Sequence, residues 1–202
     1  VLLSSTGTER EKLLNEAIKL IAKIQAATPL AFQLNSIASR LKFDEEKLLW
    51  ELNFFREHYF TSLQKKPLSD PDNAALTAEF TELVRELEAN AKFLTHRDFH
   101  AANLMLDKNN YLRIIDHQDA RIGAASYDLV SLLLDRVTIL PTPEWLAEKR
   151  AFFLDEREKL GLDKIDENDF SHEFRLQTIQ RCLKAIGTFS YQSTFRGSTY
   201  FL

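Results

Sequence analysis

Apolar positions in the first ninety residues fall on helical faces. Leu13, Leu14, Ala17, Ile18, Ile21 and Ile24 form one such face, preceded by a Thr6-x-x-Glu9 capping-box pattern. The spacing predicts a helix from about Glu9 to Ala26 that stops near Pro29. A short helical piece around Asn35–Leu41 leads to Asp44, which suits an N-cap with Glu45 and Glu46 in the first turn behind it. Leu48, Leu49, Leu52, Phe55, Tyr59 and Leu63 then mark a second long helix. Leu76, Phe80, Leu83, Val84 and Leu87 mark a third, beyond the break at Pro67–Pro71. These faces read as core packing.

The pattern changes after Asn90. Phe93-Leu94, Leu104-Met105-Leu106 and Leu112-Arg113-Ile114-Ile115 are short apolar runs. Asp107-Lys108-Asn109-Asn110 between the last two has turn composition, which predicts a small hairpin. Helical spacing resumes from Ser126 with Tyr127, Val130, Leu133, Leu134 and Val137, up to Pro141. Pro143 can open a further helix that Gly161 ends, and a last helix is predicted from about Glu167 to Ile186. The class is α+β and predominantly helical, with a small β segment in the middle.

Composition narrows the function classes. The 202 residues are 45% hydrophobic, enough for one domain with a sizeable core. Five glycines and five prolines leave no room for a collagen-like or linker-like chain. The net charge of −4 supplies no field that would draw nucleic acid or an anionic membrane, so neither is expected as a partner. Cys182 is the single cysteine and has no internal disulfide partner, which points to a reducing, cytoplasmic compartment. No apolar run nears the roughly 18 residues of a membrane span. The chain opens on Val1-Leu2-Leu3 and closes on Phe201-Leu202, and the expectation is a piece of a longer protein.

The candidate chemistry lies in the β segment. Asp98 and Asn103 are five residues apart, and Asp116 ends the apolar run Leu112–Ile115. If the two runs pair as a hairpin, Asn103 enters one strand as Asp116 leaves the other, and both side chains reach the same end of the ribbon. Two oxygen donors there suit Mg²⁺, which takes one or two carboxylates plus phosphate oxygens. Asp98 alongside would orient the proton of an attacking hydroxyl. The three together make a phosphoryl-transfer constellation with a nucleotide still to be placed. Asp and Asn at loop ends also serve as turn-formers or caps; a hydrophobic-hydrophobic-Asp run after a polar turn narrows that choice.

His96-Arg97-Asp98 with Asn103, followed by Ile114-Ile115-Asp116, resembles the protein-kinase-like fold, in its small-molecule branch of aminoglycoside phosphotransferases and choline kinases. His96–Met105, Asp116-x-Gln118-Asp119-Ala120 and Tyr127–Leu133 are similar to bacterial anomeric N-acetylmuramate/N-acetylglucosamine kinases. So are Trp50-Glu51-Leu52-x-Phe54-Phe55-x-Glu57-x-Tyr59 and Gln180-Arg181-x-Leu183-Lys184-x-Ile186-Gly187-x-Phe189. The resemblance runs from about residue 10 to 200.

By this resemblance Asp98 is the catalytic base, and Asn103 and Asp116 are the Mg²⁺ ligands. His96 and Asp128 support the catalytic loop. Gln118 and Asp119 either face substrate or only the hairpin end, and Arg181 either reaches a sugar or pairs with an acid. His100 and His117 carry no assigned role. The implied fold is a kinase-like C-terminal lobe spanning residues 1–202, with the hairpin carrying the metal site. The N-terminal nucleotide lobe is expected outside this chain, because nothing before residue 90 offers a glycine-rich loop. The implied activity is ATP- and Mg²⁺-dependent phosphorylation of a small-molecule hydroxyl, foremost the anomeric hydroxyl of an amino sugar. The alternatives are an aminoglycoside- or choline-directed phosphotransferase and a non-catalytic kinase-like binding module. Catalysis by the 202 residues alone is not expected.

Overall fold

A computed structural model describes residues 2, 5–135 and 141–197. The helices and strands in chain order are α1 (Gly7–Ala26), α2 (Thr28–Gln33), α3 (Ile37–Arg40), α4 (Glu45–Arg56), α5 (Asp70–Ala89), β1 (Phe93–Thr95), β2 (Leu104–Leu106), β3 (Leu112–Ile114), β4 (Arg121–Gly123), α6 (Tyr127–Leu133), α7 (Pro143–Lys159) and α8 (Glu167–Arg196). They form two compact units. One comprises Val1–Lys42 and Asn90–Phe174, the other Phe43–Ala89 and Arg175–Leu202, so the boundary falls within α8. Among the described residues no helix is long and apolar enough to cross a membrane.

The first unit is built on α1. Its face Leu14, Ala17, Ile18, Ile21 and Ala22 is buried with Leu129, Leu132 and Leu133 of α6, Phe153 of α7 and Phe170 of α8. Burial of these side chains is worth roughly 1.5–3 kcal/mol each for the larger ones. Phe99, Ala101 and Leu104 join the same core, which seats the segment between β1 and β2 against it.

Among the described residues two small antiparallel sheets stand where one hairpin was expected. The expected pair is β2–β3, in the register Leu104↔Ile114, Met105↔Arg113 and Leu106↔Leu112. Its turn closes on Asp107, whose Oδ1 accepts from the N–H groups of Asn109 (2.8 Å) and Tyr111 (3.0 Å), while Asn110 takes φ 61°. The second sheet pairs β1 with β4, in the register Phe93↔Gly123, Leu94↔Ile122 and Thr95↔Arg121. Arg121-Ile122-Gly123 carries a single large apolar residue, too short a pattern to declare a strand.

Other differences have local causes. α1 ends at Ala26 as expected, but a new helix starts at once: Pro29 sits in the first turn of α2, where its missing N–H costs nothing. Thr6 occupies the N-cap of α1, but its hydroxyl makes no capping hydrogen bond, because Gly7 opens the helix at φ 55°, outside the right-handed geometry a capping box needs. The helix expected from Ser126 is observed as Tyr127–Leu133, and Val137 lies outside the described residues. The last helix runs ten residues past Ile186, to Arg196.

In the second unit Asp44 caps α4 as expected, accepting from Lys47 N–H at 2.9 Å. The chain continues from α4 as π-helical turns over Glu57–Leu63. Phe55 stacks on Tyr59 with centroids 5.5 Å apart and lies 6.5 Å from Phe80 of α5. Gly187 of α8 packs directly on the α4 backbone: a Cβ there would stand 2.6 Å from Phe55 Cα. Buried Glu51 accepts from Gln180 Nε2 at 2.8 Å and has Lys47 and Lys184 within ion-pair range.

Candidate active site

The site begins where β1 ends. Thr95 donates its hydroxyl to the Arg121 carbonyl at 2.9 Å, locking the last residue of β1 to β4. The next two N–H groups, of His96 and Arg97, donate to the two oxygens of Asp128 at 2.6 and 3.0 Å. Asp128 lies wholly buried in the first turn of α6. Backbone donors satisfy its charge there, and the helix N-terminus favours it.

Arg97 takes φ 80°, a left-handed conformation that costs an L side chain about 1–2 kcal/mol. The paired hydrogen bonds to Asp128 hold it in place. The half-buried Asp98 carboxylate accepts no hydrogen bond among the described residues. It is therefore available to an incoming donor.

A 3₁₀ turn over Ala101–Asn103 joins Asp98 to the hairpin. Asp135 anchors it by accepting from Ala101 N–H at 2.9 Å. Asn103 is buried and donates Nδ2 to the Asp98 carbonyl at 2.9 Å, which fixes the amide with Oδ1 free of any donor among the described residues. Ile115 N–H donates to the Asn103 carbonyl at 3.1 Å, adding one rung beyond β3. Asp116 follows at φ 72°, so it opens the loop rather than closing the strand. Asn103 Nδ2 stands 3.5 Å from Asp116 Oδ2, as the hairpin argument required.

Gln118 donates Nε2 to Asp116 Oδ1 at 2.6 Å. Asp119 forms an ion pair with Arg97 at 2.6 Å. His96 is buried, with Phe99 edge-on at 5.8 Å. Burial holds its pKa below the usual histidine range, against the Ile115 carbonyl and the Asp98 and Asp116 carboxylates, which favour the charged ring. Neither ring nitrogen reaches a hydrogen bond of good geometry.

Asp98, Asn103, Asp116, Gln118 and Asp119 thus form one cluster, with His96 and Asp128 behind it. His100 Nε2 lies 3.5 Å from Asn103 Nδ2, and His117 is exposed. Arg181 lies on α8 in the second unit. Sequence reasoning missed Asp135 and the pairing of Arg97 with Asp119. Asp135 is a lone acid with no motif around it, and only the fold brings it to Ala101.

The Asn103 and Asp116 oxygens fit a hard cation that takes only part of its shell from protein. Among the described residues no group of three or more His, Cys, Asp or Glu side chains could hold a metal ion.

A buried aspartate holding the backbone after β1, a carboxylate with no donor among the described residues in the next turn, and an amide beside a carboxylate at a hairpin end are groups of the kind phosphoryl transfer uses. The chain belongs to the phosphotransferase enzyme family, whose sequence model matches residues 3–162. It is similar to the N-acetylmuramate/N-acetylglucosamine kinase of Neisseria meningitidis serogroup B, with 30% identity over 184 residues, covering 91% of this chain and 52% of that protein. Proteins of the same name from Pseudomonas aeruginosa and Pseudomonas putida are 29% and 28% identical, over 80% and 73% of this chain and 48% and 43% of theirs. The chain spans about half the length of these curated relatives.

Proposed function

We propose that the protein containing this chain transfers the γ-phosphoryl group of ATP to a hydroxyl of a small molecule, the anomeric hydroxyl of N-acetylmuramate or N-acetylglucosamine. Asp98 is the catalytic base: its carboxylate accepts from no donor among the described residues, which supports its accepting the substrate hydroxyl proton and aligning that oxygen for attack. Asn103 Oδ1 and Asp116 are the Mg²⁺ ligands, with Gln118 steadying Asp116. A cation bound there offsets negative charge on the phosphoryl group being transferred. His96 and Asp128 hold the loop, and Asp119 keeps Arg97 neutralised beside the base. A nucleotide-binding N-terminal lobe outside this chain completes the ATP site. The reading places this reaction in the cytoplasm, which the single cysteine of this chain, Cys182, free and exposed, supports.

The carrying observation is the convergence of Asp98, Asn103 and Asp116 in a chain of this family. The test is ADP release by the full reading frame with Mg·ATP and N-acetylmuramate, N-acetylglucosamine, choline or an aminoglycoside. Turnover is expected on the amino sugars and should vanish in Asp98→Asn. Turnover only on choline or the aminoglycoside would overturn the substrate. Mg·ATP binding without turnover on any acceptor would favour the non-catalytic module.

A further inference from the structure

Behind Asp128 lies a buried polar array that no catalytic role accounts for. Gln25, at the end of α1, is fully buried and donates Nε2 to the Ala125 carbonyl at 2.8 Å. Its Oε1 accepts from Arg157 Nη1 of α7. The Gln25 main-chain carbonyl accepts from Thr28 Oγ1 at 2.6 Å, and the same hydroxyl oxygen accepts from Leu94 N–H at 2.8 Å. Glu173 of α8 is buried and accepts from Ser126 N–H at 2.8 Å. Every member lies in the first unit.

These bonds grip the catalytic loop from both sides. Leu94 is two residues before His96, and Ala125-Ser126 is the turn that delivers Asp128 to the His96 and Arg97 N–H groups. Arg157 sets the orientation of the array. A guanidinium can only donate, so the Gln25 amide must turn its oxygen to Arg157 and its NH₂ to the Ala125 carbonyl. Arg157 is itself buried, with Phe93 of β1 against its guanidinium at 4.3 Å. Glu173 accepts from the N–H of Ser126, the N-cap residue of α6, and so fixes the backbone where the helix starts.

We propose that Gln25 and Glu173 are positioning residues for the catalytic loop, acting through the Ala125-Ser126 turn on Asp128 and so on the backbone that carries Asp98. The effect on turnover rests on the phosphotransferase reading above; the effect on loop order does not.

Gln25→Glu tests it. The variant keeps the size of the side chain and its contact with Arg157, but sets a carboxylate against the Ala125 carbonyl where a donor is needed. In the full-length protein kcat should fall roughly tenfold with the KM values for ATP and sugar within about twofold, the pattern of misalignment rather than lost binding. Amide hydrogen exchange at His96 and Arg97 should speed up by at least a similar factor. A folded Gln25→Glu variant with unchanged exchange at both amides would overturn the proposal. If the wild-type protein turns over none of the sugars, the kinase reading fails while the exchange data still decide positioning.

A measurement on the unmodified protein covers the case in which the variant does not fold. The N–H groups of Leu94, His96, Arg97 and Ser126 should exchange as one cooperative unit, with equal protection within about threefold. Opening of His96 and Arg97 while Leu94 and Ser126 stay protected would show that the array does not hold the loop.

Discussion

Arg97 Nη1 lies 2.6 Å from Asp119 Oδ2, joining the residue before Asp98 to the loop after Asp116. Arg97 and Asp116 both adopt left-handed backbone conformations, at φ 80° and 72°. The pair therefore bridges two strained segments that carry the proposed base and a proposed metal ligand. Backbone strain of this kind persists where surrounding structure over-determines it. Because the pair is partly exposed, its worth to global stability is only about 0.2–1 kcal/mol. Asp119→Asn should leave the melting temperature nearly unchanged and cut turnover roughly tenfold through misalignment. Steady-state kinetics beside a thermal melt would check this, and full turnover in the variant would reduce the pair to a surface contact.

Asp116→Asn removes charge while keeping a residue type that tolerates a positive φ. Asp116 is exposed, so folding should survive. The expected result by titration calorimetry is that Mg²⁺ no longer strengthens ATP binding in the full-length protein. Metal-enhanced binding equal to wild type would remove Asp116 from the ligand set.

Gly187→Ala tests the helix contact in the second unit. The new Cβ would stand 2.6 Å from Phe55 Cα and 2.9 Å from Phe55 N, and backbone cannot swing aside as a side-chain tip can. Overpacking of this kind costs about 1–3 kcal/mol. A urea titration should show the midpoint lowered in proportion. An unchanged midpoint would mean that α4 and α8 shift apart at no cost.

His96 sets a pH dependence. Its folded pKa lies below the unfolded value of about 6.5, because burial opposes the charged ring. The unfolded chain then binds the proton more readily than the native one. The native state carries no penalty from this group above the unfolded pKa and loses stability as pH falls from there toward the folded pKa. His96→Asn should remove that part of the acid slope when denaturation midpoints are compared at pH 7.5 and 5.5. A variant slope as steep as wild type would assign the acid sensitivity to other groups.

Much of the site was legible because its ingredients lie close together in the chain. Asp98 and Asn103 meet through one 3₁₀ turn, and Asp116 comes back to Asn103 through a hairpin whose turn residues are unmistakable. Gln118 was readable as a neighbour of Asp116 but not as its hydrogen-bond donor, since a side-chain rotamer leaves no trace in periodicity.

What the sequence alone determined are features governed by a few consecutive residues: the amphipathic face of α1, the Asp44 cap of α4, the Asp107–Asn110 turn and the order of the site residues. Tertiary structure decided the pairing of β1 with β4, the reach of Asp135 to Ala101, the Arg97–Asp119 bridge and the Gln25 contact with Ala125, one hundred residues away. The reason is physical. Helix and turn preferences are local energies, whereas a buried polar group takes whichever partner the packed core places within reach, and sequence distance does not enter that choice.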